Sequence, residues 1–250
     1  MITLRTAQEI EKIRAAGRIL RGAVNAATAM LAPGVTTSAV NRVIADYIAS
    51  HDATASFYQY NGFPGHCCIS IDEEVVHGIP GDRTLDAGSI VSIDVGVYKG
   101  GYHSDSAITL AVGDVSAEKQ QLMDVTRESL TAAIAEAKPG NRLYDISAAV
   151  ETVCNPHGYG IVRDLVGHGI GSELHEEPQI PNYVPNPPDR GPRLRAGMVL
   201  AIEPMVNQGT WKVRTLQDEW TVVTTDGLPS AHFEHTVAIT DAGPEILTLE

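Results

Sequence analysis

Four acidic residues sit in runs where a water-facing carboxylate is not expected. Asp94 interrupts Ile90-Val91-Ser92-Ile93-Asp94-Val95, Glu203 follows Val199-Leu200-Ala201-Ile202 and precedes Pro204, and Glu234 stands between Phe233 and His235 in a β-rich segment. Asp105 lies on the run that returns after Lys99-Gly100-Gly101. A carboxylate buried alone is costly, so each must be protonated, paired or bound to a metal. With a two-residue turn at Lys99-Gly100, Asp94 and Asp105 fall directly opposite each other, their Cβ atoms roughly 5 Å apart. Two carboxylates that close repel unless a cation lies between them. The competing reading is a sheet-edge aspartate facing water. Four carboxylates balance two divalent cations, which is how such a cluster survives in a core.

Histidine supplies the remaining donors. His168 and His175 lie in Val166-Gly167-His168-Gly169-Ile170-Gly171-Ser172-Glu173-Leu174-His175, where the glycines let backbone approach closely and leave an imidazole free. His77, before Gly78-Ile79-Pro80, is similar, whereas His51, His66, His157 and His232 have no supporting context and read as surface or packing residues. An oxygen-rich set with one or two imidazoles suits paired Mn, Fe, Co or Zn better than a structural zinc, which prefers thiolates. Two such ions about 4 Å apart share a water and lower its pKa toward roughly 7, producing a nucleophile for a carbonyl. The sequence has no Gly-x-Ser-x-Gly elbow, phosphate loop or dinucleotide fingerprint. Cys67-Cys68 reads as small apolar lining rather than a nucleophile pair.

The elements that must position these groups follow from periodicity. Thr6-Ala7-Gln8-Glu9 is a capping box, and Ile10, Ile13, Leu20, Val24, Ala27 and Leu31 continue a helix that Ala32-Pro33-Gly34 stops. Ser38 is the candidate cap of a second helix bearing Val40, Val43, Ile44, Tyr47 and Ile48. A strand is expected near Ile69–Ile71, then Ile90–Val97 and Tyr102–Val112. Two more helices run through Leu122–Ala137 and Leu143–Val153, and strands are expected at Met198–Val206, Trp220–Thr225 and His232–Thr240. The order helix, helix, strands occurs twice. Leu85-Asp86-Ala87-Gly88-Ser89-Ile90-Val91-Ser92-Ile93-Asp94 lies over Leu194-Arg195-Ala196-Gly197-Met198-Val199-Leu200-Ala201-Ile202-Glu203, and Pro33-Gly34 matches Pro139-Gly140. The expected architecture is α+β: one domain over residues 1–250 with an internal repeat of approximately 6–113 and 114–240, arranged with pseudo-two-fold symmetry around a central antiparallel sheet.

Composition narrows the class further. Thirty-one acids against eighteen Lys and Arg give a net charge of −13, and no basic cluster is present to hold nucleic acid. No apolar stretch approaches the roughly 18 residues of a membrane span. Three cysteines are too few for a disulfide framework, and a reducing cytoplasm is expected.

His77-Gly78-Ile79-Pro80, Asp94 with Asp105, Gly167-His168-Gly169-Ile170-Gly171, His175-Glu176-Glu177-Pro178, Ile202-Glu203-Pro204, Glu234-His235-Thr236 and Trp220-Thr221-Val222 together resemble type I methionine aminopeptidases, from about Arg5 onward. The resemblance implies the pita-bread fold and removal of an N-terminal Met when the next residue is small. It implies two divalent ions (Co, Mn, Fe, Zn or Ni): Asp94 on one, His168 and Glu203 on the other, Asp105 and Glu234 bridging both. Glu203 would be the general base, His175 would stabilise the oxyanion, and His77 would contact the substrate amide and shuttle a proton. Tyr60, Phe63, Cys68, Leu174 and Trp220 would line the Met pocket, an alternative to ordinary core packing. A monomer acting on nascent chains near the ribosome is implied, with no nucleic-acid or membrane partner. Leu174 stands where an aromatic is frequent and Ser104 where a glycine is usual, and the Asn182–Pro192 loop is somewhat long. The rivals are a prolidase or Xaa-Pro aminopeptidase, which shares the ligands but carries a large N-terminal domain where this fold begins almost at residue 1, and a non-catalytic peptide-binding module on the same fold, which typically lacks ligands present here.

Overall fold

In a computed structural model of the chain, residues 1–185 and 189–249 are described. Residues 186–188 of the long loop lie outside them.

The first helix, α1 (Ala7–Thr28), starts at the expected box: the Thr6 hydroxyl accepts from the Glu9 amide, and the Thr6 amide donates to Glu9 Oε2 at 2.7 Å. Ile13, Ala16, Leu20, Ala23, Val24 and Ala27 form its buried stripe, and the helix ends short of Leu31. Thr36, not Ser38, caps α2 (Thr37–Ser50), its hydroxyl accepting from the Ala39 amide. A cap must hold an extended backbone just before the first helical residue, and Thr36 does so at φ −81° and ψ 148°. Five strands follow: β1 (Thr54–Ala55), β2 (Cys68–Ile71), β3 (Glu74–Val76), β4 (Ile90–Lys99) and β5 (Tyr102–Ala111). After α3 (Ala117–Glu136) and α4 (Leu143–Cys154) come β6 (Gly160–Ile161), β7 (Gly167–Gly169), β8 (Glu176–Ile180), β9 (Val199–Ile202), β10 (Met205–Asn207), β11 (Val213–Thr215), β12 (Val222–Thr224), β13 (Ser230–His232), β14 (His235–Thr240) and β15 (Gly243–Ile246).

All ladders are antiparallel. One sheet runs β1-β4-β2 with β5 on the far side of β4, and a second runs β15-β14-β9-β7-β8. The two meet where β5 passes β14. There the Thr236 hydroxyl accepts from the Asp105 amide and donates to the Asp105 carbonyl, and the Glu234 amide donates to the Ala107 carbonyl. Helices α1 and α2 bury an aliphatic layer that includes Leu20, Ile44, Ile69 and Ile93 on the first sheet, and α3 and α4 do the same with Leu122, Ile146, Leu200 and Val237 on the second. The acids collect at the seam between the sheets, on the side where they line a cavity.

Two long expected strands are each broken. Met198–Val206 is β9 and β10 interrupted at Glu203-Pro204, and His232–Thr240 is the end of β13 and β14 interrupted at Phe233-Glu234. Pro204 has no amide to donate, so the ladder stops there. On one side of the break His235 pairs with Ile202, and on the other Met205 pairs with His232. The ribbon therefore bends at two facing points, each occupied by a glutamate.

Candidate metal centre

The β4–β5 hairpin brings Asp94 and Asp105 together, but not in the expected register. Asp94 pairs with Ala107 and Asp105 with Gly96. The turn residues are Gly100 and Gly101, both left-handed at φ 59° and 90°, so Lys99 is the last paired residue rather than part of the turn. Such a turn matches the twist of the strands and requires residues tolerant of positive φ. The shift by two positions keeps both side chains on one face as diagonal neighbours, still within reach. Ser104 alternates to the other face, where it approaches Gly17 of α1.

Glu203 and Glu234 enter from the bend in the ribbon, and His168 from β7. The His168 Nδ1–H donates to the Gly169 carbonyl at 2.9 Å, which leaves Nε2 facing Glu203 Oε1 at 3.5 Å. Glycine at 169 is required by packing: a Cβ there would lie 2.3 Å from the Glu177 carbonyl oxygen. Donor atoms of Asp105, His168 and Glu234 lie within 4.8 Å of one another, and so do those of Glu203, His232 and Glu234.

The electrostatics of this cluster fit a divalent cation. Among the described residues, Asp94 Oδ1, Asp105 Oδ1 and Glu234 Oε1 are buried without a hydrogen-bond partner, and no lysine or arginine lines the cavity they share. Burial, with repulsion from Glu203, pushes Asp94 up to about 7. Burial also pushes Glu203 up to about 8. Asp105 and Glu234 are raised well above the carboxylate range by burial first, then by repulsion from Asp94 and Glu203 on Asp105 and from Asp105, Glu203 and Asp94 on Glu234. Burial lowers His168 to about 3, so its imidazole is neutral and ready to donate a lone pair. These acids hold protons unless a cation displaces them, and oxygen donors with imidazole are the set that paired divalent metals take.

The acids form one wall of a cavity of about 240 Å³. Tyr60, Phe63, Cys68, Leu174 and Trp220 line it too, with Phe57 and Asn61, and His77 and His175 complete the lining; Cys68 is the cross-strand neighbour of Asp94. Phe63 and Trp220 meet edge to face at 5.2 Å. Phe63, Cys68 and Leu174 are buried and Tyr60 and Trp220 partly so, in one apolar cluster with Ile170 and Val199. These side chains thus pack the core and face the cavity at once. Burial keeps the Cys67 and Cys68 thiols protonated. Cys67 turns away toward the layer under α2, as strand alternation requires.

His77 holds a left-handed backbone at φ 61°, an uncommon and costly conformation for a non-glycine residue. It is fixed by Gly78, where a Cβ would lie 2.1 Å from the Ile69 carbonyl oxygen. His175 sits exposed at the mouth, its Nδ1 2.8 Å from the Tyr60 hydroxyl and its ring 4.4 Å from that of His168. The loop carrying it is anchored by the N-terminus: the largely buried Arg5 guanidinium pairs with Glu176, and Glu176 Oε1 also accepts from the Glu173 amide at 3.1 Å. Removing one partner of such a pair strands the other, which typically costs roughly 3 kcal/mol. Arg5→Ala is therefore expected to lower unfolding free energy by about that amount and to reduce kcat, because His175 loses its fixed position. Denaturant unfolding together with steady-state kinetics checks both, and unchanged kcat would show that the loop holds its shape alone.

Twelve residues marked by the sequence come together here. His232, which reads as a surface or packing residue in the sequence, is packed: it is 1% exposed with its Nε2 3.6 Å from Glu203 Oε2. The available signal was its position two residues before Glu234 in a β-rich run, since residues i and i+2 share a face. Phe57 and Asn61 gave weaker signals. Asn61 has φ 50° beside Gly62, a turn at the rim of the cavity.

Residues 11–241 match the model of metallopeptidase family M24. The methionine aminopeptidase 1 of Bacillus subtilis is 50% identical over 248 residues, 99% of both chains. The crystal structure of the methionine aminopeptidase of Thermotoga maritima superposes with a TM-score of 0.97 at 43% identity, covering 100% of each chain. A prolidase from Pyrococcus furiosus superposes with a TM-score of 0.80 at 26% identity, covering 99% of this chain and 65% of that one. The chain belongs to the metallopeptidase family M24. Its α+β architecture is the pita-bread fold of that family, and divalent metal is its cofactor.

Proposed function

We propose that this cavity removes the N-terminal methionine from peptides and proteins whose second residue is small, using two divalent ions held by Asp94, Asp105, His168, Glu203 and Glu234. The observation that carries the reading is one cavity lined both by carboxylates and imidazoles and by the apolar side chains of Tyr60, Phe63, Cys68, Leu174 and Trp220. A thioether side chain is unbranched and polarizable, and it suits an aromatic and sulfur-containing pocket. Full-length identity of 50% to a methionine aminopeptidase supports it.

The metals would supply a Lewis acid for the scissile carbonyl and lower the pKa of the attacking water. Glu203 accepts the proton of that water, its burial having raised its basicity toward neutral pH. His175, oriented by Tyr60, stabilises negative charge on the carbonyl oxygen. His77, its pKa lowered to about 4 by burial and by the nearby His232 and His175, is neutral and contacts the amide of the second residue. Oxygen-rich ligation with imidazole is compatible with Co, Mn, Fe, Zn or Ni.

The internal repeat of approximately 6–113 and 114–240 belongs to the same proposal. Gly88 and Gly197, at matching places in the two repeated segments, share left-handed φ values of 88° and 93° ahead of Asp94 and Glu203. The proposed setting is a cytoplasmic monomer acting on nascent chains near the ribosome. Three free, buried cysteines agree with a reducing compartment. No helix among the described residues is long and apolar enough to cross a membrane.

Chelated protein reloaded with Mn or Co is expected to release Met from Met-Ala-Ser, to spare Met-Leu-Ser and to leave Ala-Pro-Ser intact. Cleavage of Ala-Pro-Ser instead would move the chain to the proline-specific branch, which the prolidase likeness keeps in view. No cleavage with metal bound would make it a peptide-binding module.

A further inference from the structure

We propose that Thr236 and Ser106 are positioning residues for the reaction: their hydroxyls set the separation of Asp105 and Glu234, and through it the geometry in which those carboxylates hold metal. Strands β5 and β14 meet at the seam without sharing a ladder. Each acid nevertheless has both its main-chain polar groups held from the opposite side of the seam. The Asp105 amide donates to Thr236 Oγ1 at 2.9 Å, and the same hydroxyl donates to the Asp105 carbonyl at 2.8 Å. The Glu234 amide donates to the Ala107 carbonyl at 2.9 Å, and Ser106 Oγ donates to the Glu234 carbonyl at 2.7 Å. Side-chain hydroxyls thus make three of these four bonds.

A ladder bond joins backbone to backbone whatever the side chains are, whereas a seam stitched by hydroxyls is one that side chains control. Asp105, Ser106, Glu234 and Thr236 are all buried, and a buried peptide group must find a partner. Asp105 Oδ1 and Glu234 Oε1 have no hydrogen-bond partner among the described residues, so the backbone sets where each of these oxygens lies. Threonine suits the role because one hydroxyl both accepts and donates, and its branched Cβ restricts χ1. The same device recurs along the seam: Thr109 Oγ1 accepts from the His232 amide and donates to the His232 carbonyl, both at 2.8 Å. One clamp from each half of the chain therefore flanks the bond from Glu234 to Ala107.

This inference rests on the reading of the cavity as a dinuclear metal centre, and the test separates the two. Chelated native protein, Thr236→Val and Thr236→Ser are titrated with Co(II) alone, followed by calorimetry and visible absorption, and then assayed on Met-Ala-Ser at saturating Co(II). Thr236→Val keeps the shape and deletes the hydroxyl. It should weaken Co(II) binding by roughly 10–100-fold, the range for a lost outer-shell partner, change the Co(II) spectrum and lower kcat by a similar factor. KM should stay close to native, because none of Tyr60, Phe63, Cys68, Leu174 and Trp220 lies on β5 or β14. Thr236→Ser should restore affinity, spectrum and kcat. Native affinity, spectrum and kcat in Thr236→Val, however far its Tm falls, would overturn the proposal by leaving the hydroxyl a purely structural role. Failure of Thr236→Ser to restore them would overturn it too, by making the methyl group the cause. If Thr236→Val does not fold, Ser106→Ala decides: it leaves Asp105 clamped and frees only the Glu234 carbonyl, and native affinity and kcat there would overturn the proposal. A single Co(II) ion in the native protein would overturn the dinuclear reading, and weakening of that ion by Thr236→Val with rescue by Thr236→Ser would still uphold the positioning role.

Discussion

Glu234→Gln is expected to abolish turnover and to lose metal with it, and Asp105→Asn to do the same. Glu234 belongs to both donor groups at the centre of the seam, and Asp105 shares one of them. An amide of the same shape keeps the packing but removes the charge and one of the two equivalent oxygens that allow a carboxylate to touch two ions. The fall in kcat/KM should exceed the roughly 10–100-fold seen for outer-shell changes. Metal content by elemental analysis should drop below that of the native protein. The fold should survive, because in metal-free protein the substitution replaces an acid that burial already holds protonated. His77→Ala is the contrast. His77 touches no donor group, so metal content stays at the native level while kcat falls on the order of 10²–10⁴, the usual range for a lost proton-transfer group. Full activity in Asp105→Asn would remove the bridging assignment altogether.

How far the sequence reveals this site depends on whether local pattern or tertiary pairing decides each feature. Asp94 was legible because its strand is apolar on both sides, and a lone acid there demands an explanation. Its partner Asp105 was legible too, but the register was not, since a two-residue slip turns on which of three consecutive residues, Lys99, Gly100 or Gly101, the turn consumes. The two-residue shift preserved the face, so the chemical conclusion survived an incorrect pairing. A one-residue shift would have reversed it. Glu203 and Glu234 were found as acids within β-rich runs, whereas the break in each run was not. Pro204 marks one bend by its missing amide, but Phe233-Glu234 bends only because its partner strand does, and that is a tertiary fact. The place at which His232 packs is fixed for a related reason. Neighbouring glycines drew attention to His168, while His232 owes its place to a pairing with Met205 across the ribbon that no local pattern announces. The cap of α2 was misplaced from Thr36 to Ser38 because both residues can cap and lie on the same turn, their hydroxyls 3.1 Å apart.

Metal-free protein is expected to lose stability as pH rises, in contrast to metal-loaded protein. Burial lifts Asp94 from 3.8 to about 7 and Glu203 from 4.5 to about 8. The folded state therefore binds protons that the unfolded state releases between about pH 4 and 8. Stability contributed by that uptake is complete below about pH 4 and disappears as pH passes through 7 to 8. At 1.36 kcal/mol per pKa unit, each group accounts for on the order of 4 kcal/mol across the window. Metal reverses the sign, because it binds the deprotonated oxygens and binds them better as protons leave. At a free metal concentration of about 1,000 Kd it adds roughly 4 kcal/mol. The gap in Tm between loaded and chelated protein should consequently widen from pH 5 to pH 8, and the difference cancels the general repulsion of an acidic chain. Asp94→Asn should flatten the chelated curve, since an amide has no proton to lose. Calorimetry at pH 6.5 in buffers of different ionisation enthalpy should show protons released on metal binding. A gap that stays constant with pH, with no proton release, would mean that these carboxylates are already ionised in the empty site and that some other charge in the seam compensates them.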